Sequence, residues 1–348
     1  MAATSFGAIT AKTRVMYGRM LKSHDYEQLL SKNSIADIIS YLKNETYYSN
    51  ILKNVTPEHA HRGNVENVLE SSMLDEYVKI ARQINGNEAK FFNFVCSKFE
   101  ISYLLQLART LIKPSWESIH LTVPEFIVKH SEIDFKKLLN VTSLDGLINT
   151  LQGTDYYSFF KNISREQGQY DITSVEISMR SFYFERLYKA IKKDVPKDSQ
   201  KFLMDLIGSE TDLKNIIRIM RIKKNFNYSK EQIYAFLIPV NHKISKQDIN
   251  NLVESKSYDE FLDCLRKTKY VRLFLENDFE YPEEYFYEYN YSLCKKIMKT
   301  GASSMSIPIA YLWLKEFEIK NIVNIIEACR YNLPSEETYT HLVGVNKS

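Results

Sequence analysis

The chain has 348 residues, 44% of them hydrophobic and 26% charged, and a formal net charge of +3. That balance excludes a disordered polymer and a membrane-embedded bundle, and so small a charge gives no ground for general nucleic-acid binding. Ten Gly and eight Pro are too few for a turn-rich β fold, so an all-α fold is predicted.

The first stretch, MAATSFGAITAKTR, has no apolar h-region, and no window approaches the roughly 20 consecutive apolar residues of a membrane helix. Neither a signal peptide nor a bilayer span is predicted, and any membrane association is expected through a partner. GAITAKT (Gly7–Thr13) is Walker-like but lacks the second Gly and follows no strand, so no phosphate cradle is predicted. YEQLLSKNS (Tyr26–Ser34) leads into IADIISYLKNETYY, with Ser34 where an N-cap belongs. His59 and His61 lack a third metal ligand nearby and read as a surface loop. Long helices are predicted over Asn64–Ile84, ended by Asn85-Gly86-Asn87, and over Phe94–Thr110.

The same order returns twice. FKKLLNVTS (Phe135–Ser143) and INNLVESKS (Ile249–Ser257) align with the first segment, matching Ser34 with Ser143 and Ser257, and Tyr47 with Tyr156 and Tyr270. Long helices follow over Ser174–Lys193 and Pro282–Lys299, the second with Pro282 in its first turn and acids at its positive end. Each is succeeded by a second helix, over Asp205–Lys224 and Ala310–Arg330. Copies recur about every 110 residues, far from the roughly 34 to 47 of tetratricopeptide or HEAT units. Repeats are expected at 1–118, 119–230 and 231–348.

The three second helices align on Glu100, Asp212 and Glu318. One, four, five and eight residues later all copies are apolar: Ile101, Leu104, Leu105, Ala108; Leu213, Ile216, Ile217, Met220; Ile319, Ile322, Val323, Ile326. That spacing is one stripe of an amphipathic helix, predicted to be buried. The aligned acids read as first-turn residues favoured by the helix dipole. Asn215, Arg218, Arg221, Asn321, Asn324 and Glu327 fall on the side away from the stripe, together with Trp313 and Phe317. Large aromatics beside polar groups suit a partner-binding surface, although the two rings would also suit packing against a neighbouring repeat.

The cysteines (Cys96, Cys264, Cys294, Cys329) are widely spaced and read as reduced residues in or near the core. His130 and His242 read as packing residues, and the Lys214–Lys224 bases and Glu276–Glu288 acids as solvated helix faces. The aromatic density of Phe279–Tyr291 exceeds what one core face needs and leaves room for a partner contact. The sequence holds no nucleophile elbow, dinucleotide fingerprint or aspartate-rich box, so no catalytic residue, metal or cofactor is predicted.

AYLWLKEFEIKNIVNIIEACRYNLPSEE, ETDLKNIIRIMRIKK and the DYEQLL…SIADIISYL segment together resemble the C subunit of bacterial and archaeal A/V-type rotary ATPases, counterpart of the d subunit in the eukaryotic vacuolar enzyme. The resemblance covers essentially the whole chain; the first repeat departs most, with Ser102-Tyr103 where the others have Lys-Asn. It implies three similar helical units around a pseudo-threefold axis, forming a funnel. It further implies a non-catalytic rotor subunit between the central-stalk axle, of D and F type, and the membrane proteolipid c/K ring. Such a subunit lies peripherally on the cytoplasmic face and links ATP hydrolysis or synthesis to H+ or Na+ transport. Residues alone leave open a helical-repeat scaffold unrelated to a rotary motor.

Overall fold

The structure, a computed structural model, describes residues 3–56, 62–112, 125–161, 165–166, 169–170, 172–226, 228–275, 281–302 and 304–345. His59, His61 and Phe279 lie outside them, as do the acids Glu276, Asp278 and Glu280. The chain divides into two compact units. Unit 1 takes Met1–Asn85, Pro196–Leu206 and Arg272–Ser348; unit 2 takes Gly86–Val195 and Ile207–Val271.

Among the described residues the chain is all-helical apart from a two-residue antiparallel ribbon, β1 (Arg165–Glu166) and β2 (Gln169–Tyr170). It opens with α1 (Ala3–Gly18), α2 (Ser23–Leu30) and α3 (Ile35–Glu45), a single 3-10 turn at Tyr47–Ser49, and then α4 (Arg62–Ala81) and α5 (Asn87–Ile112). Four short helices follow, α6 (Glu125–His130), α7 (Phe135–Leu138), α8 (Leu144–Thr150) and α9 (Asp155–Lys161), before the long α10 (Ile172–Asp194) and α11 (Lys197–Asn225). The remainder is α12 (Lys230–Ala235), α13 (Lys246–Glu254), α14 (Tyr258–Leu265), α15 (Val271–Leu275), α16 (Pro282–Thr300), α17 (Ser306–Tyr331) and α18 (Ser335–Thr340).

Local chemistry explains the boundaries. Ser34, Ser143 and Ser257 each sit in extended backbone and accept the amide of the residue three further on, which caps α3, α8 and α14. Pro282 opens α16 with Glu283 and Glu284 in the first turn. α17 ends at Asn332 in the left-handed conformation, a terminus that Asn tolerates. GAITAKT lies inside α1, where its backbone amides belong to a helix and form no loop.

In unit 1, α17 is the centre, packed on α1, α2, α3, α4, α16 and α18. Of Ser306–Ile326 only four positions are half-exposed and the rest are buried. In unit 2, α5 lies along α10 and also meets α6 and α8. The predicted stripe is buried in all three helices except at Val323, which is half-exposed. All four cysteines are free thiols, Cys96 and Cys294 buried.

Two expectations are corrected here. Glu100, Asp212 and Glu318 are not first-turn residues; each lies well inside a long helix, because helical sequence continues far upstream of the acid. His130, expected to pack, is exposed at the end of α6, whereas His242 is half-buried beside Tyr188. Ile322, fully buried in α17, is expected to cost about 2–5 kcal/mol on truncation to Ala, read from urea or thermal unfolding. A neutral substitution would contradict the register described.

Candidate functional site

A carboxylate placed mid-helix in a core must find donors or remain neutral. Glu318, 2% exposed, finds several. Its Oε1 accepts the Tyr48 hydroxyl at 2.9 Å and Lys315 Nζ at 2.8 Å, together with the Tyr47 hydroxyl. Its Oε2 accepts the Leu21 amide at 2.6 Å. Lys315 is fully buried, donates to the Tyr48 hydroxyl at 2.6 Å, and lies 4.3 and 4.2 Å from the ring centres of Tyr47 and Tyr48. Burial pulls the Lys315 pKa down, and the Glu318 charge opposes that shift. Two further bonds tie α4 to α17: Tyr311 donates to Glu76 at 2.8 Å, and Tyr77 donates to Glu316 at 3.0 Å.

Unit 2 solves the same problem at Asp212 and Glu100. Asp212 accepts the successive amides of His242, Lys243 and Ile244 at 3.0, 2.7 and 3.1 Å, and the Tyr270 hydroxyl at 2.9 Å. Glu100 accepts the Tyr156 hydroxyl at 2.8 Å and a bond from Ser131. Burial raises the pKa of both acids above the ordinary carboxylate range, and these hydrogen bonds work against it. The three aligned acids are thus met by the three aligned tyrosines, in a shifted order. Glu100 takes Tyr156, Asp212 takes Tyr270, and Glu318 takes Tyr47, which lies 271 positions away in sequence.

The residues expected to form a partner surface divide. Asn215 and Asn321 are each 1% exposed and clamp backbone. Asn215 pairs with the carbonyl and amide of Ile238 at 2.9 and 2.8 Å, and Asn321 with those of Val343 at 2.9 Å each. Trp313 and Phe317 are also buried, Phe317 because Tyr287 and Tyr291 of α16 cover it edge-on. The expected free face therefore does not exist at these four positions; as far as Ala328, α17 keeps only a half-exposed strip at Glu316, Lys320, Val323, Asn324 and Glu327. Arg218 is half-buried, bonds the Phe236 carbonyl at 2.7 Å, and is lowered by burial to about 10. Arg221 is exposed, and Asn324 and Glu327 are half-exposed.

Sequence reasoning missed Lys315, Tyr48 and the Asn clamps. The recurrence of an acid and a tyrosine at matching positions of every copy was the available signal for the pairs.

No described helix is long and apolar enough to cross a membrane. Fold and site define a class: among the described residues, an all-helical protein whose long helices carry buried or half-buried carboxylates, each tied by a tyrosine to another segment. The particular family follows from comparison with known proteins. The chain belongs to the ATP synthase (C/AC39) subunit family, whose model matches residues 9–340. It is 22% identical to the C subunit of the A-type ATP synthase of Methanosphaera stadtmanae, over 94% of this chain and 85% of that one. It is likewise 22% identical to that of Archaeoglobus fulgidus, over 96% and 95%, and to that of Methanocaldococcus jannaschii, over 98% and 86%.

Replacing Asn215 or Asn321 by Leu orphans one buried amide and one buried carbonyl. The expected loss is about 1–3 kcal/mol for each orphaned group, read from urea unfolding. Unchanged stability would mean the clamps hold nothing that water cannot hold as well.

Proposed function

We propose that the chain is the non-catalytic adaptor between the rotating central axle and the membrane proteolipid ring of an A/V-type ATPase. The axle is of D and F type and the ring of c/K type; the chain lies peripherally on the cytoplasmic face, and ATP hydrolysis or synthesis is linked through it to H+ or Na+ transport. The observation that carries this reading is the family match along nearly the whole chain, with relatives named as the C subunits of A-type ATP synthases. The buried chemistry agrees with it, since Glu100, Asp212 and Glu318 are engaged in joining segments. An element that transmits torque needs such stiff internal joints.

The architecture proposed with this role is a funnel of three repeats around a pseudo-threefold axis. Its support is the recurring acid–tyrosine bond. The repeats expected at 1–118, 119–230 and 231–348 stay a proposal, in which each acid reaches into the next repeat and the last reaches back into the first.

For the partner surface the proposal retains Arg218, Arg221, Asn324 and Glu327, the expected residues that keep some exposure. Asn215, Trp313, Phe317 and Asn321 act indirectly, by holding those helices in place. Arg221→Glu tests the surface without touching the Arg218 bond to Phe236. Affinity for purified axle subunits is expected to fall several-fold, more at low salt, with the melting temperature unchanged. Equal affinity for both proteins would remove Arg221 from the interface. Capture from native membranes with neither axle nor ring subunits present would overturn the adaptor role itself.

A further inference from the structure

The turn after α4 carries Asn85-Gly86, the one place in the chain where asparagine precedes glycine. Both residues are exposed, whereas Ile84 before them and Phe91 near the start of α5 are buried. Gly86 stands at φ +74°, in the left-handed region where a side chain is strained, so the turn itself demands glycine. Among the described residues only Glu88 Oε2, at 3.4 Å, comes within 4 Å of where a Cβ on Gly86 would stand. No described hydrogen bond engages the Gly86 amide or the Asn85 carboxamide.

A carboxamide followed by an amide this open is a reactive pair. The Gly86 nitrogen can close a five-membered ring on Asn85 Cγ, because no β-carbon obstructs its approach. The N–Cγ bond forms, the Cγ–Nδ2 bond breaks, and the proton lost from the Gly86 amide leaves on the departing ammonia. Water then opens the succinimide at either carbonyl. One product is aspartate; the other is isoaspartate, whose backbone runs through Cγ and is one methylene longer. Water is the only other reactant.

Asp145-Gly146, the one Asp-Gly pair in the chain, supplies an internal comparison. Its glycine lies inside α8, and the Gly146 amide donates to Ser143 Oγ at 3.1 Å. Ring closure there would require the cap bond to break and the first turn of α8 to unwind.

We propose that Asn85 is a site of spontaneous modification, where the exposed turn converts asparagine to aspartate and isoaspartate through a succinimide formed with Gly86. The conversion places a carboxylate just ahead of α5 and lowers the formal net charge by one from +3. In the isoaspartyl product it also lengthens the backbone between the buried side chains of Ile84 and Phe91. The site is a property of the chain alone and does not rest on the rotary reading.

The test incubates the full chain in mildly alkaline buffer. It is followed by native isoelectric focusing, by peptide mapping with mass spectrometry, and by labelling with an isoaspartate-specific methyltransferase. One more acidic species is expected to accumulate, with ammonia lost at Asn85 and both products found there. Asn85→Gln, its circular dichroism unchanged, is expected to abolish that species. A synthetic peptide of residues 82–88 serves as the unfolded reference. Conversion of the peptide while Asn85 stays intact in the folded chain overturns the proposal. So does faster conversion at another asparagine, aspartate at Asn85 without isoaspartate, or isoaspartate at Asp145 as abundant as at Asn85.

Discussion

A carboxylate buried in the middle of a long helix cannot be satisfied by its own helix, because the surrounding backbone donors are already spent on the helical ladder. Glu318 therefore draws its partners from elsewhere in the chain: an amide at the corner before α2, the phenols of Tyr47 and Tyr48, and Lys315 one turn away. Each of the first three is a place where another segment must dock; Lys315 belongs to α17 itself. Losing Lys315 leaves an uncompensated buried charge, a penalty of about 3–5 kcal/mol, comparable with much of a domain's net stability. Asp212 and Glu100 impose the same condition on unit 2, there with no lysine side chain among the groups described as bonding them. A segment that docks only through apolar contact can slide; one that must deliver a hydroxyl to a fixed oxygen cannot.

Much of this was legible in the sequence. The apolar stripe at 3.6-residue spacing identified the inner face, and Ser34, Ser143 and Ser257 announced three helix starts. What failed did so for physical reasons. α17 is enclosed by six other helices, so Trp313, Phe317 and Asn321 are buried on a face that periodicity assigned to the outside. A stripe argument presumes that half of the helix is wet, and this central helix keeps only a narrow half-exposed strip. Asn215 and Asn321 looked like surface amides because a side chain that clamps backbone leaves no periodic trace. The acids were visible as an aligned set, and so were the tyrosines. That Glu100 takes Tyr156, Asp212 takes Tyr270 and Glu318 takes Tyr47 is a fact of topology that sequence alignment does not contain.

That shift bears on the role proposed for an ATP synthase (C/AC39) family member. Glu318 joins segments from opposite ends of the sequence, and among the bonds described for the three acids its carboxylate is the one that accepts from a buried lysine side chain. Ser97 and Ser209 stand where Lys315 stands in α17. The joint that chain connectivity supports least thus has the strongest electrostatic component, an ion pair covered by two tyrosine rings. A rotor element that carries torque would need its weakest covalent link reinforced in this way.

The central claim is that aligned tyrosine and acid are energetically coupled, and a double-mutant cycle at Tyr270 and Asp212 tests it most directly. Urea unfolding of Tyr270→Phe, Asp212→Ala and the double variant should give a coupling energy of about 0.5–3 kcal/mol, because the pair meets at 2.9 Å in a buried site. Stability losses that simply add, to within about 0.3–0.5 kcal/mol, would show that the bond joins nothing and would contradict the account.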